Sequence, residues 1–266
     1  MVTFAHHLLG YYFTLLLFAA GGLGLNLFGL IAAPFCRAGR AERFFQRIIH
    51  RLFRFFVWWM GFIRLCFVRY HGLERLPRDR AFLLAANHPG LMDITYLLAR
   101  IPEAICVFKP AIRRNPVLGA GARRAGYLVG AGGHDLVRQA AEKLAAGNVL
   151  VIFPEGTRTL PGTALQPLRP GFVLMARRGG VPVQLVRITW DSNVLVKGRA
   201  WWKVPRLPAH VDVTVGPLIP VPPDADTEAV AAGIADWFRS PAPAGDAACM
   251  AAPGALSSTP RLSPAP

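Results

Sequence analysis

Residues 81–93 read Ala81-Phe82-Leu83-Leu84-Ala85-Ala86-Asn87-His88-Pro89-Gly90-Leu91-Met92-Asp93, and this stretch decides the fold. Its first half is a short apolar run with no helical period, as expected of a strand buried on both faces. Pro89 and Gly90 then break the backbone, and the apolar spacing of 91–100 predicts a helix. A strand end that feeds a helix start is where α/β proteins place their chemistry. On one continuous helix His88 and Asp93 would point in different directions, because positions five apart do not share a face. With Pro89-Gly90 between them, His88 can lie in the loop while Asp93 opens the helix. Histidine suits proton transfer near neutral pH, and a carboxylate can fix its tautomer. An equally simple reading makes Asp93 a first-turn acid that complements the helix dipole, with His88 a plain loop residue.

Outward from this stretch the same alternation repeats. Strands are predicted at Ala81–Ala86, Ala104–Phe108, Val149–Phe153, Val181–Thr189 and Val211–Val215. Helices are predicted at Leu91–Arg100, Arg114–Ala125, Asp135–Ala146, Gly171–Arg178 and Thr227–Phe238. The alternation indicates an α/β domain over 69–239, with a largely parallel or mixed sheet flanked by helices. From about Ser240 to residue 266 the chain turns Pro/Ala/Gly/Ser-rich and is expected to form a disordered tail. His134-Asp135 is expected to cap the helix that follows it.

Residues 1–68 differ in kind and are expected to anchor the chain to a membrane. From Leu8 to Cys36 no residue is charged, a run of roughly 29 positions where about 20 span a bilayer. A cleaved leader would need basic residues ahead of the run, and none precedes Arg37. Arg37, Arg40, Arg43, Arg47, Arg51 and Arg54 follow, which by the positive-inside tendency puts the rest of the chain on the cytoplasmic side of the inner membrane, single-pass or monotopic. Residues 40–56 carry arginines on one side and Phe44, Phe45, Ile48, Ile49 and Leu52 on the other. This suits a helix lying on the membrane surface, or an ordinary amphipathic helix against the core. The apolar stretch Phe55–Val68 is short for a crossing and suggests a shallow insertion.

Composition agrees. The chain is 53% hydrophobic with a formal net charge of +15 and mean hydropathy +0.35. The charge calls for an anionic partner, and the apolar content favours an anionic phospholipid membrane over nucleic acid, for which no motif is present. Cys36, Cys66, Cys106 and Cys249 are widely spaced, without the pattern of a disulfide framework or a zinc site.

A second cluster stands at the end of the strand Val149–Phe153: Phe153-Pro154-Glu155-Gly156-Thr157-Arg158-Thr159. Alone it reads as a strand-to-loop turn whose Arg158 can grip an anion. Together with Asn87-His88-x-x-x-x-Asp93 it resembles the lysophospholipid, or glycerolipid, acyltransferase family. The resemblance extends through Lys109, Asn115-Pro116-Val117-Leu118-Gly119, Gly126, Pro167-Leu168-Arg169-Pro170-Gly171 and Val181-Pro182-Val183. It implies an O-acyltransferase that needs no metal or cofactor and moves an acyl group from acyl-CoA or acyl-carrier protein to a lysolipid hydroxyl. His88 would be the general base and Asp93 its partner. Asn87, Lys109, Glu155, Gly156, Thr157, Arg158 and Arg169 would bind substrate. The pattern departs from the family at Gly126-Tyr127-Leu128-Val129-Gly130-Ala131-Gly132, where an arginine that holds the acceptor phosphate is missing. Either Arg123 or Arg124 replaces it, or the acceptor is not lysophosphatidic acid. Among subgroups the chain looks most like bacterial acyltransferases of specialised lipids such as aryl polyenes or ornithine lipids. The other reading is a non-catalytic lipid-binding protein on the same fold. Arg113, Arg114, Arg123 and Arg124 suit an acidic carrier protein, CoA phosphates or plain solvent, and Trp201-Trp202-Lys203 suits a membrane-facing edge or a buried pair.

Overall fold

A computed structural model describes residues 2–32, 38–130, 132–160 and 162–241. The expected helix end at 33–36, Arg37, Cys249 and nearly all of the expected tail lie outside these residues. In chain order the elements are α1 (Val2–Ala32), α2 (Ala38–Phe62), β1 (Cys66–His71), β2 (Leu83–Ala86), α3 (Asp93–Leu98), β3 (Ala104–Phe108), α4 (Gly119–Arg124), β4 (Leu128–Val129), α5 (Gly133–Ala145), β5 (Val149–Ile152), α6 (Gly171–Gly179), β6 (Val183–Trp190), β7 (Ala209–Ile219) and α7 (Thr227–Arg239).

The strands form one seven-stranded sheet in the order β1-β7-β6-β2-β5-β3-β4. Every neighbouring pair is parallel except β6 and β7, which run antiparallel. The fold class expected from the alternation, α/β with a mixed sheet, is what the chain adopts. Successive side chains of a strand point to opposite faces, and β2 shows the consequence. Leu84 and Ala86 join a core beneath α2 and α3, while Leu83 and Ala85 join a second core beneath α5, α6 and α7. All four are fully buried, which is why β2 reads as a continuous apolar run. At the start of α7, Asp226 accepts hydrogen bonds from the free amides of Glu228 and Ala229.

Two departures from the sequence-based picture concern residues 38–71. The helix begun at Ala38 runs unbroken to Phe62, and Cys66–His71 then enters the sheet as an edge strand. Phe55–Val68 is therefore not one inserted segment: its first part is helix and its last part is strand. Phe45, Ile49, Phe56 and Met60 of α2 are buried in the core, worth roughly 1.5–3 kcal/mol each, so that face is an ordinary core contact. A different stripe of α2, including Phe55, Trp58 and Phe62, stays exposed. At the start of α5, Gly132 occupies the cap position, and His134 and Asp135 lie in the first turn.

α1 is apolar enough over Ala5–Ile31 to cross a membrane by length and composition. It does not stand free. His6 bonds the Ile63 carbonyl, Tyr11 and Tyr12 bond Trp201 and Trp202 carbonyls, and Asn26 accepts from the Gly121 amide. At Gly22 a side chain would collide with Val117. The helix thus lies along the domain at both ends.

Candidate active site

Because β2, β5 and β6 are mutually parallel, their C-terminal ends meet at one edge of the sheet. The loop after β2 brings Asn87 and His88, the loop after β5 brings Phe153–Thr159, and β6 ends in Trp190.

His88 and Asp93 are brought together as expected: Nδ1 of His88 lies 2.8 Å from Oδ2 of Asp93. The Asp93 side chain is wholly buried and that of His88 is 17% exposed. The Asp93 carboxylate also accepts the Gly90 amide at 2.8 Å and the Trp190 indole N–H at 3.1 Å. Burial pushes the Asp93 carboxyl above its ordinary value, and the bonds from His88, Gly90 and Trp190 pull it back. With Nδ1 committed to Asp93, Nε2 of His88 has no hydrogen-bond partner among the described residues, and the ring lies flat on Phe153 with centroids 3.9 Å apart. The imidazole is thereby fixed in plane with one nitrogen available to a substrate. Gly90 is required by contact: a Cβ there would sit 2.6 Å from the Trp190 ring.

Glu155 and Asn87 play parts that their positions in the sequence do not reveal. Glu155, 3% exposed, accepts from the His88 amide at 2.8 Å, from the Thr159 hydroxyl and from the Gln166 amide. The Thr159 amide in turn donates to the His88 carbonyl at 2.8 Å. The carboxylate is thus consumed in clamping the second motif to the first. The Asn87 amide donates to the Ile188 carbonyl and its oxygen accepts from the Ile188 amide, at 2.8 and 2.7 Å. An amide side chain carries one donor and one acceptor face, like a peptide, so Asn87 extends the β2–β6 ladder after the backbone has turned away.

The remaining expected substrate ligands are spread around this centre. Arg158 donates to the Leu195 carbonyl at 2.8 Å, tying the second motif to the β6–β7 loop. Gly156 holds a left-handed φ of 66° beneath the exposed Arg169, whose Nε is 3.0 Å from where a Cβ would stand. Thr157 is half-buried between Gly156 and Arg158, and Lys109 is exposed at the end of β3. Neither candidate replacement for the missing arginine joins the cluster: Arg123 bonds the Arg113 carbonyl, and Arg124 lies over Phe45 and against Gly29. Trp190 was not anticipated. Its role depends on β6 lying beside β2, and no local pattern announces that neighbour.

Beside the first motif is an apolar cavity of about 310 Å³, lined by Leu91 and Met92 of the motif, Phe18 and Gly22 of α1, Phe53 of α2 and Val117, among others. Such dimensions suit a ligand-sized apolar group.

Comparison with known proteins agrees with the motifs. The family model described as Acyltransferase matches residues 67–189. A lyso-ornithine lipid O-acyltransferase of Pseudomonas aeruginosa is 37% identical over 145 residues, covering 51% of this chain and 54% of that protein. A 1-acyl-sn-glycerol-3-phosphate acyltransferase of Helicobacter pylori is 33% identical over 110 residues, covering 39% and 46%. The chain thus spans about half the length of these curated relatives. The crystal structure of a 1-acyl-sn-glycerophosphate acyltransferase of Thermotoga maritima superposes with a TM-score of 0.70 at 23% identity, over 90% of this chain and 96% of that one, and shows the shared fold. Residues 67–189 therefore match the Acyltransferase family, as the Asn87–Asp93 and Phe153–Thr159 motifs together indicate.

Proposed function

We propose that this protein is a membrane-associated O-acyltransferase that moves a fatty acyl group from a thioester, acyl-CoA or acyl-carrier protein, to the hydroxyl of a lysolipid. The observation that carries the reading is the His88–Asp93 pair, 2.8 Å apart with Asp93 wholly buried and His88 partly so, in a motif whose Leu91 and Met92 line an apolar cavity. Asp93 accepts Nδ1–H, so Nε2 presents a lone pair and takes the proton of the acceptor hydroxyl as its oxygen attacks the thioester carbonyl. The tetrahedral intermediate collapses by breaking the C–S bond. The departing thiolate recovers the proton from Nε2 and leaves as thiol, and Asp93 stabilises the imidazolium between the two steps. The cavity receives the acyl chain. Glu155 and Asn87 hold the loops in place, leaving Arg158, Arg169, Lys109, Thr157 and the Gly156 backbone as the contacts for substrate.

The acceptor in this reading is a lysolipid whose head group carries no phosphate, of the lyso-ornithine type. Gly132 stands where the family arginine is expected, and Arg123 and Arg124 are engaged elsewhere. The name of the Pseudomonas aeruginosa relative points the same way.

The membrane reading rests on surface chemistry. α1 is docked lengthwise yet exposes Leu9, Phe13, Leu16, Leu27 and Ile31. A helix held against the domain at both ends and apolar on its outer side suits insertion into one leaflet. Of the two arrangements open to this helix, single-pass and monotopic, this reading takes the monotopic one.

The test supplies labelled acyl-CoA and acyl-carrier protein with lyso-ornithine lipid and lysophosphatidic acid to wild type and His88→Ala. Wild type should esterify lyso-ornithine lipid in preference, and the variant should lose about 10²–10⁴-fold in rate. Equal turnover by both proteins refutes the base assignment. A preference for lysophosphatidic acid refutes the acceptor assignment alone. Lipid binding without turnover by either protein would favour the non-catalytic reading.

A further inference from the structure

The loop that joins β6 to β7, residues 191–208, carries two adjacent indoles that the active site does not use. Trp201 and Trp202 are 58% and 55% exposed and set edge-on to each other, 88° between planes. Exposed tryptophan pairs are costly in water and favoured at the head-group level of a bilayer, where an apolar ring with one polar N–H finds both environments.

The loop is not a loose excursion. Tyr11 donates to the Trp201 carbonyl at 2.5 Å and Tyr12 to the Trp202 carbonyl at 2.7 Å. These bonds fix the indoles beside the outward stripe of α1 formed by Leu9, Phe13 and Leu16. On its other side, Leu195 is buried in the core and held by Arg158. Lys203 and Arg206 follow the indoles in the loop, both exposed. The apolar surface of α1 therefore continues onto a loop of aromatic and cationic residues, rigidly attached to the second motif.

We propose that this β6–β7 loop is a membrane-contact element additional to α1 and α2, with Trp201 and Trp202 seated among the head groups of an anionic phospholipid bilayer and Lys203 and Arg206 meeting lipid phosphates. Charge complementarity selects the anionic surface: near such a surface each cation strengthens binding by about fivefold. The contact also fixes how the His88 edge of the sheet faces the bilayer, because the loop, α1 and Arg158 are bonded together. The inference does not depend on acyl transfer.

The full-length chain, reconstituted in vesicles of phosphatidylglycerol and phosphatidylcholine, tests it. Lipids brominated near the carbonyl end quench tryptophan at shallow depth. The Trp201→Phe/Trp202→Phe variant should lose a large part of the quenchable emission, while Trp58→Phe reports α2 independently. Lys203→Gln/Arg206→Gln should weaken partitioning onto anionic vesicles by about 25-fold and leave binding to phosphatidylcholine vesicles unchanged. Quenching undiminished by loss of both indoles overturns the proposal, as does a charge variant that binds anionic vesicles like wild type. A change of oligomeric state in the indole variant without loss of quenching would assign the loop to a second copy of the chain instead. Both variants should keep wild-type circular dichroism and wild-type turnover of substrate presented in detergent micelles, which separates this test from that of the enzymatic reading.

Discussion

Replacing Trp190 by Phe removes one hydrogen bond from a buried carboxylate and leaves most of the aromatic surface in place. In the native chain Asp93 is wholly buried and receives the Trp190 N–H at 3.1 Å. A bond to a charged group contributes about 1.5–3 kcal/mol, and one pKa unit corresponds to about 1.4 kcal/mol. Burial already raises the Asp93 carboxyl, and loss of a donor to the ionised form raises it further. A protonated Asp93 cannot accept Nδ1–H from His88, so in the proposed mechanism the Trp190→Phe variant has to shed that proton at a higher pH before His88 is held for proton transfer. The acid limb of kcat/KM should therefore move to higher pH by about one to two units, with a rate about ten- to hundredfold lower on that limb. On the alkaline plateau the variant should approach wild type, and KM for the acyl donor should hold. A pH–rate profile of the two proteins measures this directly. A uniform loss of kcat at every pH, with the limb unmoved, would mean that Trp190 matters only for its packing on Gly90. A limb moving to lower pH would contradict the reasoning altogether.

Two further outcomes follow from other side chains. Glu155→Gln keeps the shape of the clamp but weakens its bonds to the His88 and Gln166 amides. It should cost about 1–3 kcal/mol of stability and lower kcat more than it raises KM for the acceptor; a selective rise in acceptor KM at unchanged melting temperature would restore an acceptor-binding role. Asp212 bridges Arg69 and His71 at 2.8–2.9 Å. Burial alone would raise its carboxyl, but the bonds from His71 and Arg69 outweigh that and hold it below its ordinary value. Its ionised form therefore stabilises the fold above the unfolded carboxyl's pKa, and the contribution is lost as pH falls through the lower folded value. Asp212→Asn should be less stable than wild type by about 1–2 kcal/mol near neutral pH, with the gap closing on acidification; denaturant melts at several pH values measure it, and a gap that widens in acid would refute the assignment.

The local sequence determined a good deal of this protein because its signals are local. Apolar runs bounded by Gly, Pro and Asn define strands such as Val149–Ile152 and Ala104–Phe108, since a doubly buried strand has nothing to alternate with. The break at Pro89-Gly90 fixes how His88 can turn back to Asp93, and the two motifs together carry the resemblance to the acyltransferases that the family match bears out. What the sequence did not contain is which strand lies beside which. The edge strand Cys66–His71 looks like the end of an apolar helix until its pairing with β7 is known, and the two-residue β4 is too short to carry a pattern. Trp190 meets Asp93, and Asn87 meets Ile188, only because β6 lies parallel to β2. Glu155 turns from a surface ligand into a buried clamp because β5 lies on the other side of β2. The apolar face of α2 is likewise ambiguous in sequence, since core and lipid ask for the same side chains. Packing against the sheet divides it into a buried stripe and an exposed one, and that division is a property of the tertiary structure alone.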